Sequence, residues 1–123
     1  RALMDLPYTV YLGHQRIFDY VSDTATTLAN ISDNFIPGEV YNVGSREEWF
    51  TNIKHVSDLI LKYLDKDDHL VTYKESEPFT TRVKRVEMHK ARRDLKHNPQ
   101  VSLEEGVGRY IEWMKKAYAR NRS

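Results

Sequence analysis

Apolar residues recur along this chain in two rhythms, and the switches between them lay out its elements. Tyr8-Thr9-Val10-Tyr11 is a run of β-branched and aromatic residues closed off by Gly13, which predicts a short strand. Ahead of it, Arg1 to Asp5 reads as the tail of a helix, punctuated by Pro7. A second extended run, Ile17 to Val21, leads into a helix capped by Ser22 or Asp23 and carrying Ala25, Leu28, Ala29 and Ile31 on its apolar face. Asp33-Asn34 and Pro37-Gly38 mark the exit from that helix.

Glu39-Val-Tyr-Asn-Val-Gly44 then reads as a strand stopped by a glycine. Thr51 or Asn52 caps the most regular helix of the chain, in which Ile53, Val56, Leu59, Ile60, Tyr63 and Leu64 recur every three or four residues. Asp65 to Asp68 ends it, His69 to Tyr73 predicts another strand, and Lys74 to Thr81, with Pro78, predicts a loop. Arg82 to Glu87 alternates charged and apolar residues as an edge strand does. Lys90 to Leu95 predicts a short helix ended by Asn98-Pro99. Ser102 and Glu105 have capping-box spacing before a last helix that buries Leu103, Val107, Tyr110, Ile111, Met114 and Tyr118. Strands alternating with three to four helices, without an internal repeat or a linker, predict a single α/β (mixed α+β) domain over residues 1–123.

Composition sets limits on this picture. With 123 residues the chain suffices for one domain with a small core, and without cysteine it has neither disulfides nor a thiolate metal site. That absence fits a reducing compartment, so a cytoplasmic location is expected. No apolar run approaches the length of a membrane span, and nothing resembles a signal peptide, so no membrane partner is expected. The sequence starts at Arg1 rather than at a methionine, which points to a piece of a longer chain.

The net charge of +1 hides an asymmetry: residues 1–81 carry 7 Lys/Arg and 13 Asp/Glu, residues 82–123 carry 12 and 5. Such a division gives a basic face for an anionic ligand, two oppositely charged surfaces that meet, or solvated faces of two late helices. Residues 82–96 contain seven Lys/Arg, but Glu87 and Asp94 interrupt them and no stacking aromatic is interleaved, so no nucleic-acid partner is expected.

The search for chemistry yields one candidate. The five histidines lack metal-ligand spacing, and Asp65, Asp67 and Asp68 lack the spacing of a calcium loop, so no metal site is expected. Gly106-Val-Gly108 falls inside a predicted helix, where glycines serve packing rather than phosphate binding. Arg16, delivered between two extended runs, is suited to bidentate contact with phosphate or carboxylate; a salt bridge to Asp19 or Asp23 is the structural alternative.

Three segments, taken in order, add a family resemblance. Gly13-His-Gln-Arg-Ile-Phe-Asp-Tyr-Val-Ser-Asp-Thr-Ala resembles the "G…R-D-F-x-Y-V-x-D-x-A" segment of the extended short-chain dehydrogenase/reductases, the NAD-dependent nucleotide-sugar epimerases and dehydratases. Tyr41-Asn42-Val43-Gly44-Ser45 resembles their Y-N-I-G-S strand. Lys90-Ala91 to Leu95, Pro99, Ser102-Leu-Glu-Glu-Gly106 and Trp113 are similar to their "K-A…L-G-W-x-P…S-L-E-E-G-L…W" ending.

The resemblance implies the C-terminal lobe of a Rossmann-type enzyme that binds a nucleotide-sugar diphosphate and is a homodimer when whole. The family's glycine-rich NAD turn and its Y-x-x-x-K pair would lie upstream. None of the eight tyrosines here has a lysine four residues on, so no catalytic or cofactor-binding residue is assigned and the chain alone is expected to be inactive. By the same resemblance Arg16 is the diphosphate arginine, Val10 and Tyr11 line the nucleobase pocket, and Thr51 stands near the diphosphate at a helix N-terminus. The family's R-P-G-[HD] becomes Glu77-Pro78-Phe79-Thr80, which loses an arginine or passes its task to Arg82, and L-G-W becomes Leu95-Lys96-His97. Two other readings are an NAD(P)-dependent reductase of the same superfamily acting on a non-nucleotide substrate, and a non-catalytic binding module that uses the basic 82–96 face. Without the rest of such an enzyme, Val40 to Val43 and the helix faces Ile53–Leu64 and Leu103–Met114 are expected to lack part of their burial.

Overall fold

The structure, a computed structural model, describes residues 1–120. In chain order the regular elements are β1 (Tyr8–Tyr11), β2 (Gln15–Arg16), α1 (Val21–Asn34), β3 (Thr51–Asn52), α2 (Ile53–Leu64), β4 (Val71–Lys74), α3 (His89–Leu95) and α4 (Leu103–Arg120). Single 3₁₀ turns at Ala2–Met4 and Glu47–Trp49 complete the set. This is a mixed α/β architecture with four helices and short strands. The expected helical tail at residues 1–5 is the first of those 3₁₀ turns, closed by Asp5 in a left-handed conformation.

β1 and β4 form a parallel pair with Tyr8 opposite Val71 and Tyr11 opposite Lys74. Parallel neighbours need a crossover, and residues 12–70, carrying α1 and α2, supply it. β2 and β3 form a small antiparallel pair, Gln15 opposite Asn52 and Arg16 opposite Thr51, which fixes the turn after β1 against the start of α2.

α2 follows its sequence pattern closely. Asn52 is the N-cap, its side chain accepting from the His55 amide at 2.7 Å, and Asp65 ends the helix in the left-handed conformation. Thr51 therefore lies in β3 and is not the cap. Leu59 and Leu61 are buried, and α2 packs against β1 and α4. The approach of α4 is close because its glycines leave room: a Cβ on Gly106 would lie 3.2 Å from the Tyr20 ring, and one on Gly108 3.0 Å from the Tyr63 ring. Ser102 Oγ accepts from the Glu105 amide at 3.3 Å, but the Glu105 carboxylate pairs with Arg109, so only half of the expected capping box forms.

The structure corrects the expectations for α1. It begins at Val21 behind Tyr20, with Ser22 and Asp23 already inside its first turn, and residues 17–20 form no strand. Asp23 does not cap its own helix; Oδ2 accepts from the Val101 amide at 2.9 Å instead. The helix also buries its polar side. Thr27 is enclosed, Asn30 donates to Leu95 O at 3.1 Å, and Ala25, Leu28 and Ala29 face solvent. Leu28 is 56% exposed and Val21 73%.

Two further predicted strands are absent. Residues 39–44 make no ladder, and Val40 is 80% exposed. In residues 82–87 only Val83 makes an isolated parallel bridge, to Gln15. Backbone groups form a strand only beside another strand, and among the described residues none flanks Val40 to Val43. The helix faces expected to lack cover do so in part: Tyr110 and Trp113 are exposed, whereas Ile111 is buried. Leu3, Tyr8, Val56, Ile60, Val107 and Met114 line an open apolar cleft of about 690 Å³ between α2, α4 and the N-terminal turn.

α3 is held to the rest by side chains. Met88, Ala91 and Leu95 are almost fully buried, and Lys96 ends the helix at φ 55°. Asp94 bonds Arg93 through both oxygens, at 2.6 and 2.9 Å, and accepts from the Tyr41 hydroxyl at 3.2 Å. The Arg93 guanidinium first, and the Tyr41 hydroxyl second, hold the Asp94 carboxyl below the ordinary aspartate value of 3.8. A depressed folded-state value contributes stability above the unfolded-state value and loses it as pH falls through the folded one. We therefore expect denaturant unfolding to show Asp94→Asn less stable than the parent at pH 6, with the gap narrowing toward pH 3. An unchanged gap at pH 3 would remove ionisation as the cause.

Candidate functional site

At the C-terminal end of β1 the chain turns sharply. Gly13 N donates to Glu75 O at 2.8 Å, and Leu12 N donates to Lys74 O at 2.8 Å, so the ends of β1 and β4 leave the sheet together. A Cβ on Gly13 would lie 2.8 Å from Glu75 O, which explains why this position takes glycine. His14 follows, 3% exposed, with its ring stacked on Tyr11 at 5.5 Å between centroids. The Glu77 amide donates to His14 Nε2 at 3.3 Å, and His14 O accepts from the Ile53 amide at 3.0 Å. One buried histidine thus joins β1, the 75–82 loop and the start of α2. Its position directly after a strand-ending glycine is the signal of this role in the sequence.

Arg16 comes next, on β2. Its Nη1 donates to Gln15 O and to Arg82 O, both at 2.7 Å, and its Nη2 donates to Thr81 O at 2.7 Å. Nη2 also lies 3.5 Å from His14 Nδ1. The salt bridge to Asp19 or Asp23 is not formed: Asp19 accepts from Thr24, and Asp23 from Val101. Three of the five guanidinium N–H groups are thus committed to carbonyls, and Nε has no partner among the described residues.

The other candidate residues distribute around this point. Thr51 stands opposite Arg16 in the β2–β3 pair. Arg82 contributes its carbonyl to Arg16, while its exposed side chain donates from Nη2 to Ser76 Oγ at 3.3 Å. Tyr11 is half-buried and joined to Arg16 through His14. Val10 is buried in the core at 2% exposure. Glu77 is exposed and accepts from the Thr80 hydroxyl at 3.1 Å. Arg16, Thr51, Tyr11 and the backbone of Arg82 therefore meet at the C-terminal ends of a parallel strand pair, where open α/β sheets hold ligands. The apolar cleft is separate: it opens at Tyr8, the other end of β1, and none of the candidate residues lines it.

The closely spaced glycines of this chain serve packing. Its Gly-x-Gly sequence, Gly106 to Gly108, lies inside α4 with both glycines packed on tyrosine rings. Among the described residues no group of three or more His, Asp or Glu is placed to hold a metal ion. No helix among them is long and apolar enough to cross a membrane.

No protein-family model matches the chain, and neither does any curated protein. Solved structures do match. The chain superposes on UDP-glucose 4-epimerase from Thermotoga maritima, in a structure with UDP-glucose, at a TM-score of 0.83 and 25% identity over 96% of its length and 38% of the epimerase. The Bordetella bronchiseptica enzyme WbmF, solved with NAD⁺ and UDP, gives 0.77 and 28% over 96% of this chain and 34% of that one. dTDP-glucose 4,6-dehydratase from Bacillus anthracis, solved with NAD, gives 0.79 and 20% over 94% and 36%. The likeness to NAD-dependent nucleotide-sugar epimerases and dehydratases thus extends over nearly the whole chain, which spans about a third of their length.

Proposed function

We propose that this chain is the substrate-holding portion of an NAD-dependent nucleotide-sugar epimerase or dehydratase, and that Arg16 grips the diphosphate of the substrate. The observation that carries the reading is the state of Arg16. Backbone carbonyls hold its guanidinium in place while the Nε edge stays unpaired, so the arginine is oriented before any ligand arrives. Thr51 stands opposite Arg16 in the β2–β3 pair, and the half-buried Tyr11 is joined to Arg16 through His14, which supports contacts to phosphate and base. The fold supports the family, and the UDP-containing neighbours support the ligand class. Binding the nucleotide far from the reacting sugar would turn remote binding energy into orientation for hydride transfer. NAD and the proton-transferring groups belong, on this reading, to the two-thirds of that fold outside the present sequence.

The test is calorimetric titration of the chain with UDP-glucose and dTDP-glucose, with and without Arg16→Ala. Loss of a charge-assisted phosphate contact is expected to weaken binding about tenfold or more. Equal affinity in parent and variant overturns the grip; no binding by the parent overturns the reading as a whole.

One observation favours a second reading. Glu77 places an exposed carboxylate in the 75–82 loop, which suits a reductase of the same superfamily whose substrate carries no phosphate. The basic 82–96 face gains less support as an interaction surface, because Lys90 pairs with Glu39 at 2.5 Å, Arg93 with Asp94, and Arg85 lies over Phe50 at 4.5 Å.

A further inference from the structure

The 75–82 loop contains a residue that works against the fold. Phe79 is fully exposed at 109% of its reference area, and its backbone sits at φ 60°, the left-handed region that a residue with a Cβ enters at a cost. An exposed phenylalanine in a strained conformation contributes nothing to folding on either count. The loop is nonetheless well held. Glu75 O accepts from Gly13, the Glu77 amide donates to His14, Thr80 Oγ1 donates to Glu77, and Arg16 bonds the carbonyls of Thr81 and Arg82. Strain of this kind persists where surrounding contacts over-determine the backbone, and it concentrates at ligand-gripping segments.

Phe79 is also in the right place. Thr81, whose carbonyl touches the Arg16 guanidinium, is two positions on, so the Phe79 Cα lies within about 7.6 Å of the Thr81 Cα. Two residues on its other side, the Glu77 amide touches His14, which stacks on Tyr11. The loop tip is thus anchored between the proposed phosphate contact and the Tyr11–His14 pair.

We propose that Phe79 is a nucleotide-binding residue, whose ring covers the nucleobase of the bound nucleotide while Arg16 holds the phosphates. This rests on the nucleotide-sugar reading above and deepens it. A flat apolar ring offers any base a stacking face, and it supplies contact where Glu77 supplies no positive charge. The left-handed backbone carries the ring outward at the loop tip, which accounts for a bulky residue standing where glycine or asparagine would fit without strain.

The experiment titrates the full chain with UDP, dTDP and inorganic pyrophosphate, comparing the parent with Phe79→Asn, Phe79→Leu and Arg16→Ala. Asparagine accepts the left-handed conformation, so Phe79→Asn is expected to melt no lower than the parent. It should bind UDP or dTDP about tenfold more weakly, as loss of one stacked base predicts, while pyrophosphate binding stays unchanged. Phe79→Leu should fall between, and Arg16→Ala should weaken all three ligands. If Phe79→Asn binds nucleotides like the parent while Arg16→Ala does not, the inference falls and the nucleotide reading stands. An equal loss for pyrophosphate in Phe79→Asn also overturns it, since the base would not be the group contacted. If the parent binds none of the three, both readings fall together.

Discussion

Replacing His97 with alanine is expected to destabilise the protein by about 3 kcal/mol, the largest effect of any single polar substitution in the chain. His97 is 3% exposed, and its ring joins α1 at Thr27 to the backbone at Gly44. Gly44 O, which can only accept, lies 2.6 Å from Nε2, so Nε2–H donates to it, and Nδ1 shares a hydrogen bond with the Thr27 hydroxyl at 2.7 Å. Alanine opens a cavity in place of the buried ring and leaves the Gly44 carbonyl without its donor, whereas the Thr27 hydroxyl keeps its bond to Asp23 O at 3.1 Å. Domains of this size have only about 5–15 kcal/mol in all, so the melting temperature should drop by roughly 10 °C. Thermal melts of His97→Ala and His97→Phe separate volume from hydrogen bonding. Phenylalanine restores most of the packing, so its deficit measures the lost hydrogen bonds to Gly44 O and Thr27. A melting temperature for His97→Ala within about 2 °C of the parent would show that the network contributes little.

Gly13→Ala is expected to have the next largest effect, about 2 kcal/mol of stability together with weakened ligand binding. The added Cβ meets Glu75 O at 2.8 Å, and that oxygen belongs to the backbone, so no side-chain rotation relieves the contact. The same carbonyl accepts from the Gly13 amide, which means that moving it away breaks the bond that closes β1 onto β4. Because His14 and Arg16 follow directly, the displacement reaches the proposed site. Denaturant unfolding combined with UDP titration checks this: both midpoint and affinity should fall. A variant with parental affinity would show that the turn can shift without disturbing Arg16. Gly38, with nothing within 4 Å of its added Cβ, has no such clash, although its φ of 85° still favours glycine.

What could be read from the sequence divides along a physical line. α2 was legible because its determinants are local: a cap at Asn52, an apolar residue every three or four positions, a left-handed stop at Asp65. β1 and the body of α4 were legible for the same reason, and the order of three loose motifs was enough to suggest the family. Elements that depend on distant partners were not. Asp23 looks like a cap until Val101 takes its carboxylate. Val40 to Val43 has the composition of a strand but no neighbouring strand to pair with. α1 shows an apolar stripe at Leu28, yet Thr27 and Asn30 are the residues that dock on α3, because hydrogen bonds to His97 and Leu95 O outcompete the stripe. At the proposed site, the residue type of Arg16 suggests anion chemistry. The buried role of His14 and the backbone conformation of Phe79 carry no local signature.

The exposed side of α1 has a consequence for the history this chain can have in solution. Val21, Leu28, Phe35, Ile36 and Val40 are all exposed, and they follow one another along a single stretch of the sequence. A ribosome would present that greasy strip early, well before α3 arrives to clamp the opposite side of the helix. Until then Thr27 and Asn30 lack their long-range partners, His97 and Leu95 O, so neither side of α1 is covered. Folding of this segment is therefore committed late, by residues about 65 to 70 positions downstream, and any polypeptide that covers the strip first acts as its chaperone.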